Sequence, residues 1–386
     1  MGRGHTQLPG YNHAEVEAIN EAVKNFGKES LKESTLYTTL EPCFHTGRTP
    51  PCVNYIINYK LKRVVISQID LNSKVNHQSV DLLKSRGIKT DILDGREFEK
   101  EIFYTLGSYL TFIKKQRPRI ILKWAQTPSG MLAPALGKSG FITNEYSRET
   151  VMRFRKLFKA VMVTPGTVKN DLPMLTARTA KENLSQLFNN QKNDSFLQRL
   201  LLSEENQYQE KNNSLFRFFL LPDFGAGFKE TDFKNYIQKQ KDLGGNYIFF
   251  TRSKLQKNIL EKENTKSEYF SNFNDFNKII DTLNNFDLLQ VMIEAGPVFT
   301  EKLIKENIPD VLIVYTSSEK KEWENNGRGF DESIKLADGD KNPFKTYGFE
   351  ILESLNLKDD KMIVYHKPKG ELIGWYPPEA IGIFSK

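Results

Sequence analysis

Glu41-Pro42-Cys43-Phe44-His45-Thr46-Gly47-Arg48-Thr49-Pro50-Pro51-Cys52 holds both cysteines of a 386-residue chain. Upstream stands His13-Ala14-Glu15. Zinc accepts exactly such sulfur and imidazole donors, and three protein ligands leave a fourth position open for water. His13, Cys43 and Cys52 make three. Glu15 lies two residues beyond His13, close enough to sit beside the metal without binding it. A carboxylate there can take a proton from water and pass it to a leaving amine. His45, inside the loop, is the candidate fourth ligand, and it would turn the site from catalytic to structural. Both cysteines are expected at helix N-termini, where the positive dipole end favours a thiolate.

The flanking pattern places this loop in an α/β fold. Val16, Ile19, Ala22, Val23 and Phe26 recur at helical spacing from His13 and stop at Gly27. Leu36–Leu40 reads as a strand, Pro51–Tyr59 as a helix, and Arg63–Ser67 as a buried strand. Val80–Ser85 reads as a helix ending at Gly87, followed by a strand over Ile88–Leu93. Such βα alternation implies a largely parallel or mixed sheet. One longer helix is expected over Glu97–Lys115. Pro118 disfavours helix at itself and just before it, so a domain boundary is expected at residues 116/117.

Beyond it, Ile120–Ala125, Ala160–Val163, Val291–Glu294 and Val311–Thr316 read as strands. Ser147–Phe158 and Phe299–Asn307 read as helices. This is a second α/β domain, expected over residues 117–370, with a tail over 371–386. Two polar tracts, near 179–213 and 254–277, are expected to bury little, as inserted loops or surface helices. Gly225-Ala226-Gly227 reads as a turn, and no GxGxxG occurs, so a Rossmann nucleotide site is not expected.

Hydrophobic content of 39% supports real cores, and the formal net charge is +7. Lysines and acids interleave, so much of that charge reads as solvated surface. Lys114-Lys115 and Lys320-Lys321 are clusters, not a nucleic-acid-binding stripe. No apolar run approaches the ~18 residues of a membrane span. Two cysteines and no visible export signal point to the reducing cytoplasm.

The loop, with Thr39-Leu40-Glu41-Pro42-Cys43 ahead of it, resembles the zinc nucleobase deaminases, whose signature pairs H-x-E with P-C-x-x-C. Eight residues between the cysteines resemble one branch, the pyrimidine deaminase of riboflavin biosynthesis. The resemblance continues through Leu122-Lys123-Trp124-Ala125-Gln126-Thr127, Phe141-Ile142-Thr143-Asn144, Arg155, Gly166–Asp171, Leu175-Thr176, Arg178 and Ile293–Pro297. These look like the reductase half of the same bifunctional family, in order, over nearly the whole chain.

The resemblance implies a cytidine-deaminase-like three-layer domain followed by a dihydrofolate-reductase-like α/β domain. It implies one Zn2+ on His13, Cys43 and Cys52, with Glu15 as proton shuttle. It implies NADPH near Ala125, Phe141, Thr167, Asp171 and Gly296, Pro297, Val298, Phe299, Thr300, Glu301 and Lys302. Substrate contacts are implied for Ser139, Arg155, Leu175, Arg178 and Glu294. Exposed N–H groups at the helix start after Gly296 suit a cofactor phosphate, and a guanidinium fork suits a substrate phosphate. Lys123 lies near the expected pocket without an assigned role. The partner is a phosphorylated pyrimidine, with no nucleic acid or membrane and a possible homo-oligomer.

Two departures stand out. Ser129-Gly130 replaces the family's usual Asp-Gly, which would remove a carboxylate near the cofactor. The family also places a helix and a hairpin of some forty residues ahead of His-Ala-Glu. Here His13 comes almost at once, so the chain is expected to start late, through truncation or a misplaced start codon. That would weaken the deaminase and leave a reductase. The rival readings are a nucleic-acid-editing zinc deaminase and a non-catalytic protein with a structural zinc.

Overall fold

A computed structural model describes residues 1–7, 10–47, 49–72, 75–134, 140–177, 184–189, 195–203, 215–225, 227–330 and 342–368. The described residues divide into two compact units, Met1–Lys114 and Lys115–Pro368. The expected tail over 371–386 lies outside the described residues.

The first unit runs α1 (Ala14–Phe26), β1 (Thr35–Leu40), α2 (Cys52–Asn58), β2 (Arg63–Gln68), α3 (Gln78–Ser85), β3 (Lys89–Ile92), α4 (Glu99–Thr105) and α5 (Gly107–Lys115). Strands pair in the order β1-β2-β3, all parallel, with Leu36 opposite Val64 and Val64 opposite Thr90. Val64, Val65 and Ile66 are all buried, the continuous apolar run expected of a strand covered on both faces. Ile19 of α1, Val53 and Ile56 of α2 and Leu83 of α3 pack into the same core. Gly27 closes α1 at φ 79°, its N–H bonded to the Val23 carbonyl. A left-handed turn there suits a residue without a Cβ.

The expected single helix over Glu97–Lys115 is broken. A 3₁₀ turn covers Gly95–Phe98, and α4 and α5 meet at Leu106, whose φ is −111°. Gly107 opens α5, and its poor helix propensity makes it a natural point of interruption.

The second unit contains β4 (Arg119–Gln126), β5 (Ala133–Pro134), α6 (Glu145–Phe158), β6 (Ala160–Val163), α7 (Pro165–Asp171), α8 (Leu184–Asn189), α9 (Phe196–Ser203), β7 (Phe216–Leu220), α10 (Glu230–Leu243) and β8 (Asn246–Thr251). It continues with α11 (Lys254–Lys262), β9 (Ser267–Tyr269), α12 (Phe276–Leu283), β10 (Gln290–Glu294), α13 (Pro297–Lys305), β11 (Val311–Thr316), β12 (Gly327–Arg328), β13 (Glu350–Leu357) and β14 (Asp360–His366). Nine strands form one sheet in the order β13-β14-β11-β4-β10-β6-β7-β8-β9, and β5 pairs with β12 apart from it. The sheet is parallel from β11 to β9, while β14 and β13 add antiparallel strands at the other end. The chain runs outward from β6 to β9, then returns to insert β10 between β4 and β6. This brings the carboxyl ends of three parallel strands side by side, where α/β sheets hold ligands.

The tract near 254–277 departs from the expectation of buried-poor insertion. It supplies α11 and the edge strand β9, and Leu260, Phe273 and Phe276 are buried in the unit. Its polar residues mask a thin apolar stripe. The tract near 179–213 carries α8 and α9, with Leu184, Leu197 and Leu201 buried. Its remaining residues lie outside the described ones.

Candidate active sites

In the first unit, His13 stands immediately before α1 with extended backbone, and Cys52 is the first residue of α2. Cys43 lies in the irregular segment after β1, not at a helix N-terminus as expected. Pro42 and the need to reach back to α2 keep it out of a helix. Its sulfur nevertheless uses the helix start, accepting a hydrogen bond from the Cys52 N–H at 3.1 Å. His13 Nδ1 lies 3.5 Å from Cys43 Sγ and 3.3 Å from Cys52 Sγ.

These three ligand atoms lie within 4.8 Å of one another, and among the described residues they are the one such group. Tetrahedral zinc with sulfur at ~2.3 Å and nitrogen at ~2.0 Å implies ligand–ligand separations of about 3.5 Å, which these distances match. The donors also ask for a cation. The Cys43 thiol is drawn down to about 5 by the Cys52 thiol and backbone N–H, against burial, with His13 helping. Cys52 is pushed up by the same shared proton and by burial. His45 is not part of the group. Its buried Nδ1 has no hydrogen-bond partner among the described residues.

Glu15 is 8% exposed, and burial raises its pKa, with the Cys43 charge adding to the rise. Its carboxyl interacts electrostatically with His13, Cys43 and Cys52, which puts it beside the ligand cluster. Sequence reasoning missed Glu41. Its buried carboxylate accepts from Ser79 Oγ at 2.6 Å and from the N–H groups of His77 at 3.0 Å, Ser79 at 3.3 Å and Asp70 at 3.4 Å. The end of β1 that launches Cys43 is thereby tied to the start of α3. The signal was an acid in an apolar strand end, which must be paired if buried.

In the second unit, Lys123 and Ala125 lie in the carboxyl half of β4 and Glu294 ends β10, with Lys123 opposite Glu294 and Glu294 opposite Val163 of β6. Arg155, near the end of α6, donates from Nε to Glu294 at 2.7 Å and from Nη1 to the Thr176 carbonyl at 2.8 Å. Burial alone would raise the Glu294 pKa, but Arg155 and Lys123 outweigh it and hold the carboxylate below its usual range. Lys123 is lowered by burial and lies over the Tyr315 ring at 5.6 Å. Two cations thus share one half-buried anion, a surplus positive charge towards the carboxyl ends of the strands.

Thr167 lies in α7, which follows β6, and Asp171 is its exposed last residue. Leu175 is buried at 2% exposure. Gly296 precedes α13 with no side-chain cap, and open space surrounds the position of a Cβ there. Val298 and Phe141 are each 74% exposed, unusual for large apolar groups, and the Arg148 guanidinium lies over the Phe141 ring at 4.3 Å. The uncapped N–H groups after Gly296 fit a cofactor phosphate. The rest of the stretch is otherwise engaged: Thr300 Oγ1 bonds the Ala295 carbonyl, Glu301 pairs with Lys305, and Lys302 donates to the Asn274 carbonyl at 2.8 Å. Ser139 and Arg178 lie outside the described residues.

The carboxylate expected to be lost with Ser129 is supplied from elsewhere. Glu324 accepts from the Ser129 N–H at 3.0 Å and from its hydroxyl. Burial opposes ionisation, but these bonds, with Thr127 and the Lys321 N–H, hold Glu324 down to about 2.

The family model for the cytidine and deoxycytidylate deaminase zinc-binding region matches residues 2–68. The RibD C-terminal domain matches residues 118–318, over half of the chain. The riboflavin biosynthesis protein RibD of Aquifex aeolicus is 31% identical over 322 residues, covering 82% of this chain and 76% of the relative. This chain belongs to the RibD family. It therefore joins a zinc-binding deaminase domain to an NADPH-using reductase domain, the bifunctional arrangement of riboflavin biosynthesis. RibD of Bacillus amyloliquefaciens is 37% identical over 180 residues, 46% of each chain. Among solved structures, the diaminohydroxyphosphoribosylaminopyrimidine deaminase/5-amino-6-(5-phosphoribosylamino)uracil reductase of Thermotoga maritima is 25% identical. It covers 93% of this chain and 86% of its own, with a TM-score of 0.64. Acinetobacter baumannii RibD, at 22% identity, has a TM-score of 0.66, covers 95% of this chain and 89% of its own, and shares the fold. The α/β class and both domain types expected from the sequence hold. Among the described residues no helix is long and apolar enough to cross a membrane.

Proposed function

We propose that this RibD chain deaminates 2,5-diamino-6-ribosylamino-4(3H)-pyrimidinone 5′-phosphate and then reduces the ribosyl group, giving 5-amino-6-(5-phosphoribitylamino)uracil. The observation that carries the first step is the cluster of His13, Cys43 and Cys52 with buried Glu15 beside it. Zinc, when bound by these three residues, supplies Lewis acidity that makes water a nucleophile near neutral pH. Glu15 accepts the water proton and delivers it to the departing amine. Burial raises its pKa, which suits a group that must both take and give a proton. The Cys52 N–H holds the Cys43 sulfur in place, and Glu41 anchors the strand end behind it.

NADPH, when bound, supplies the hydride for the second step. Ala125, Phe141, Thr167, Asp171 and Gly296–Lys302 would surround it. Arg155, Leu175, Arg178, Ser139 and Glu294 would hold the substrate. Arg155 is already committed to Glu294 and Thr176, so it orders the pocket and leaves the surplus charge of Lys123 and Arg155 to attract the phosphorylated substrate. The partner is then a small phosphorylated pyrimidine, and a cytoplasmic location suits two free thiols.

The test follows ammonia release and NADPH absorbance with the diaminopyrimidinone phosphate, with and without NADPH. Both signals are expected. Glu15→Gln should cut ammonia release by about 10²–10⁴-fold, while reduction of already deaminated substrate continues. Absence of ammonia release and of NADPH oxidation in the zinc-loaded wild type, with the diaminopyrimidinone phosphate and with already deaminated substrate alike, refutes the proposal, and oxidation of NADPH with deaminated substrate only marks the deaminase half as inactive.

A further inference from the structure

The loop after α7 carries two leucines in left-handed backbone, Leu172 at φ 43° and Leu175 at φ 51°. Leucine has no polar side chain to offset the clash of its Cβ in this region, so neither would adopt it unaided. Leu172 is explained by its place as the cap of α7, its N–H bonded to the Val168 carbonyl. Leu175 is in no helix cap. Its conformation is imposed by its surroundings, and backbone imposed in this way clusters at ligand-binding positions.

The surroundings are specific. On one side Arg155 holds the Thr176 carbonyl at 2.8 Å. On the other, three side chains from α10 and β7 grip the two residues before Leu175. Tyr236 Oη donates to the Pro173 carbonyl at 2.6 Å. Gln240 Nε2 donates to Met174 Sδ at 3.4 Å, and Arg217 Nη1 reaches the Met174 carbonyl at 3.4 Å. Arg217 Nη1 also donates to Gln240 Oε1 at 2.6 Å, so the two act as one block. All three are buried, Tyr236 at 1%, Gln240 at 0% and Arg217 at 3% exposure. A guanidinium, an amide and a phenol are costly to bury. A hydrophobic trio would pack α10 on the sheet as well, and what these polar groups add is directional hold, Tyr236 and Arg217 on the 173–174 backbone and Gln240 on the Met174 side chain.

We propose that Tyr236, Gln240 and Arg217 are positioning residues for the reductase substrate, acting by clamping Pro173 and Met174 so that Leu175 keeps the shape the substrate meets. This rests on the reading above that Leu175 and Arg178 are substrate residues. None of the three need touch it.

Tyr236→Phe tests this cleanly. The ring keeps its edge-on packing against Phe219 and Phe249, at 5.5 and 6.1 Å between centroids, so the core is retained. Only the bond to Pro173 is lost. The KM for 5-amino-6-(5-phosphoribosylamino)uracil should rise about tenfold, the change that ~1.4 kcal/mol of lost hold produces. kcat should stay within about twofold and the NADPH Kd should not move. Amide exchange should quicken over residues 172–177 and not elsewhere. Arg178→Ala, measured alongside, separates the two ideas. A folded Tyr236→Phe protein with unchanged KM, where Arg178→Ala raises KM, overturns the clamp and leaves the substrate loop standing. Unchanged KM in both overturns the loop assignment and the clamp with it.

Discussion

Removing Glu294 should harm the second unit more than removing Arg155, although each breaks the same ion pair. The difference lies in Lys123. In the native site Glu294 faces two cations, Arg155 through a 2.7 Å bond and Lys123 across the β4–β10 register. Arg155→Met leaves one anion and one cation, a balanced pair. Glu294→Gln leaves two cations, Arg155 buried and Lys123 half-buried, and no anion. Breaking a buried pair from one side costs about 3–5 kcal/mol because a charge is stranded. Glu294→Gln strands two and belongs at the upper end, about 4–5 kcal/mol on that scale. Arg155→Met strands none. It loses a charge-assisted bond to Glu294 and one to the Thr176 carbonyl, partly offset as Lys123 takes over the carboxylate, for about 2 kcal/mol.

For a domain of this size each kcal/mol moves the midpoint by about 2–4 °C. The expected shifts are therefore about 4–8 °C for Arg155→Met and about 8–20 °C for Glu294→Gln. Calorimetry or urea unfolding of the two variants at pH 7 decides the order. Glu294 is a carboxylate held below its usual pKa, so its contribution is present above the unfolded value and lost as pH falls through the folded one. The gap between variant and wild type should therefore close in acid. If Arg155→Met proves equal to or worse than Glu294→Gln, Lys123 does not share the anion and the charge arrangement drawn here is wrong.

Glu41→Ala should strip four hydrogen bonds from a buried carboxylate, destabilise the first unit by about 3–5 kcal/mol, and lower zinc content measured by elemental analysis, while reduction of deaminated substrate persists. Retention of full zinc would show that Cys43 does not depend on this anchor. Ser129→Asp restores the residue usual in the family yet sets a second carboxylate against Glu324, so it should cost about 1–2 kcal/mol by urea unfolding at pH 7. A neutral or stabilising effect would show that Glu324 does not stand in for that residue. Buried His366 has its pKa lowered from 6.5 to about 4, by burial first and Arg119 second. Its neutral form is favoured in the fold, so stability is full above pH 6.5 and falls by up to about 3 kcal/mol as pH drops towards 4. Urea midpoints across that range should flatten in His366→Gln, and an unchanged slope would count against it.

The metal centre was legible because zinc chemistry restricts its donors to a few residue types. Two cysteines and one histidine in a chain with so few of either had little else to be. The elements bearing them are local as well: α1 begins at His13's neighbour, and α2 at Cys52. What could not be read was Cys43's setting. Helix or loop there depends on where α2 lies, and the sulfur accepts from a backbone N–H nine positions away. Glu41 escaped for the same reason, since its partners belong to α3 and the turn before it.

The reductase site was legible only through resemblance, and its physics shows why. Lys123, Arg155 and Glu294 sit on three elements far apart in the chain, and they meet because β10 returns to lie between β4 and β6. Periodicity identifies those strands but says nothing about their order. The same gap explains the misjudged tract near 254–277. β9 needs only three residues to pair with β8, and α11 buries a narrow stripe, so a polar average hides real structure. Ser129 makes the point from the other direction. A missing acid in the local motif suggested a weaker site, whereas Glu324, from a segment joined to that turn through the β5–β12 pairing, brings a carboxylate to the same backbone N–H. A motif records which residues a turn carries, while the charge at that turn is set by whatever the fold brings to it.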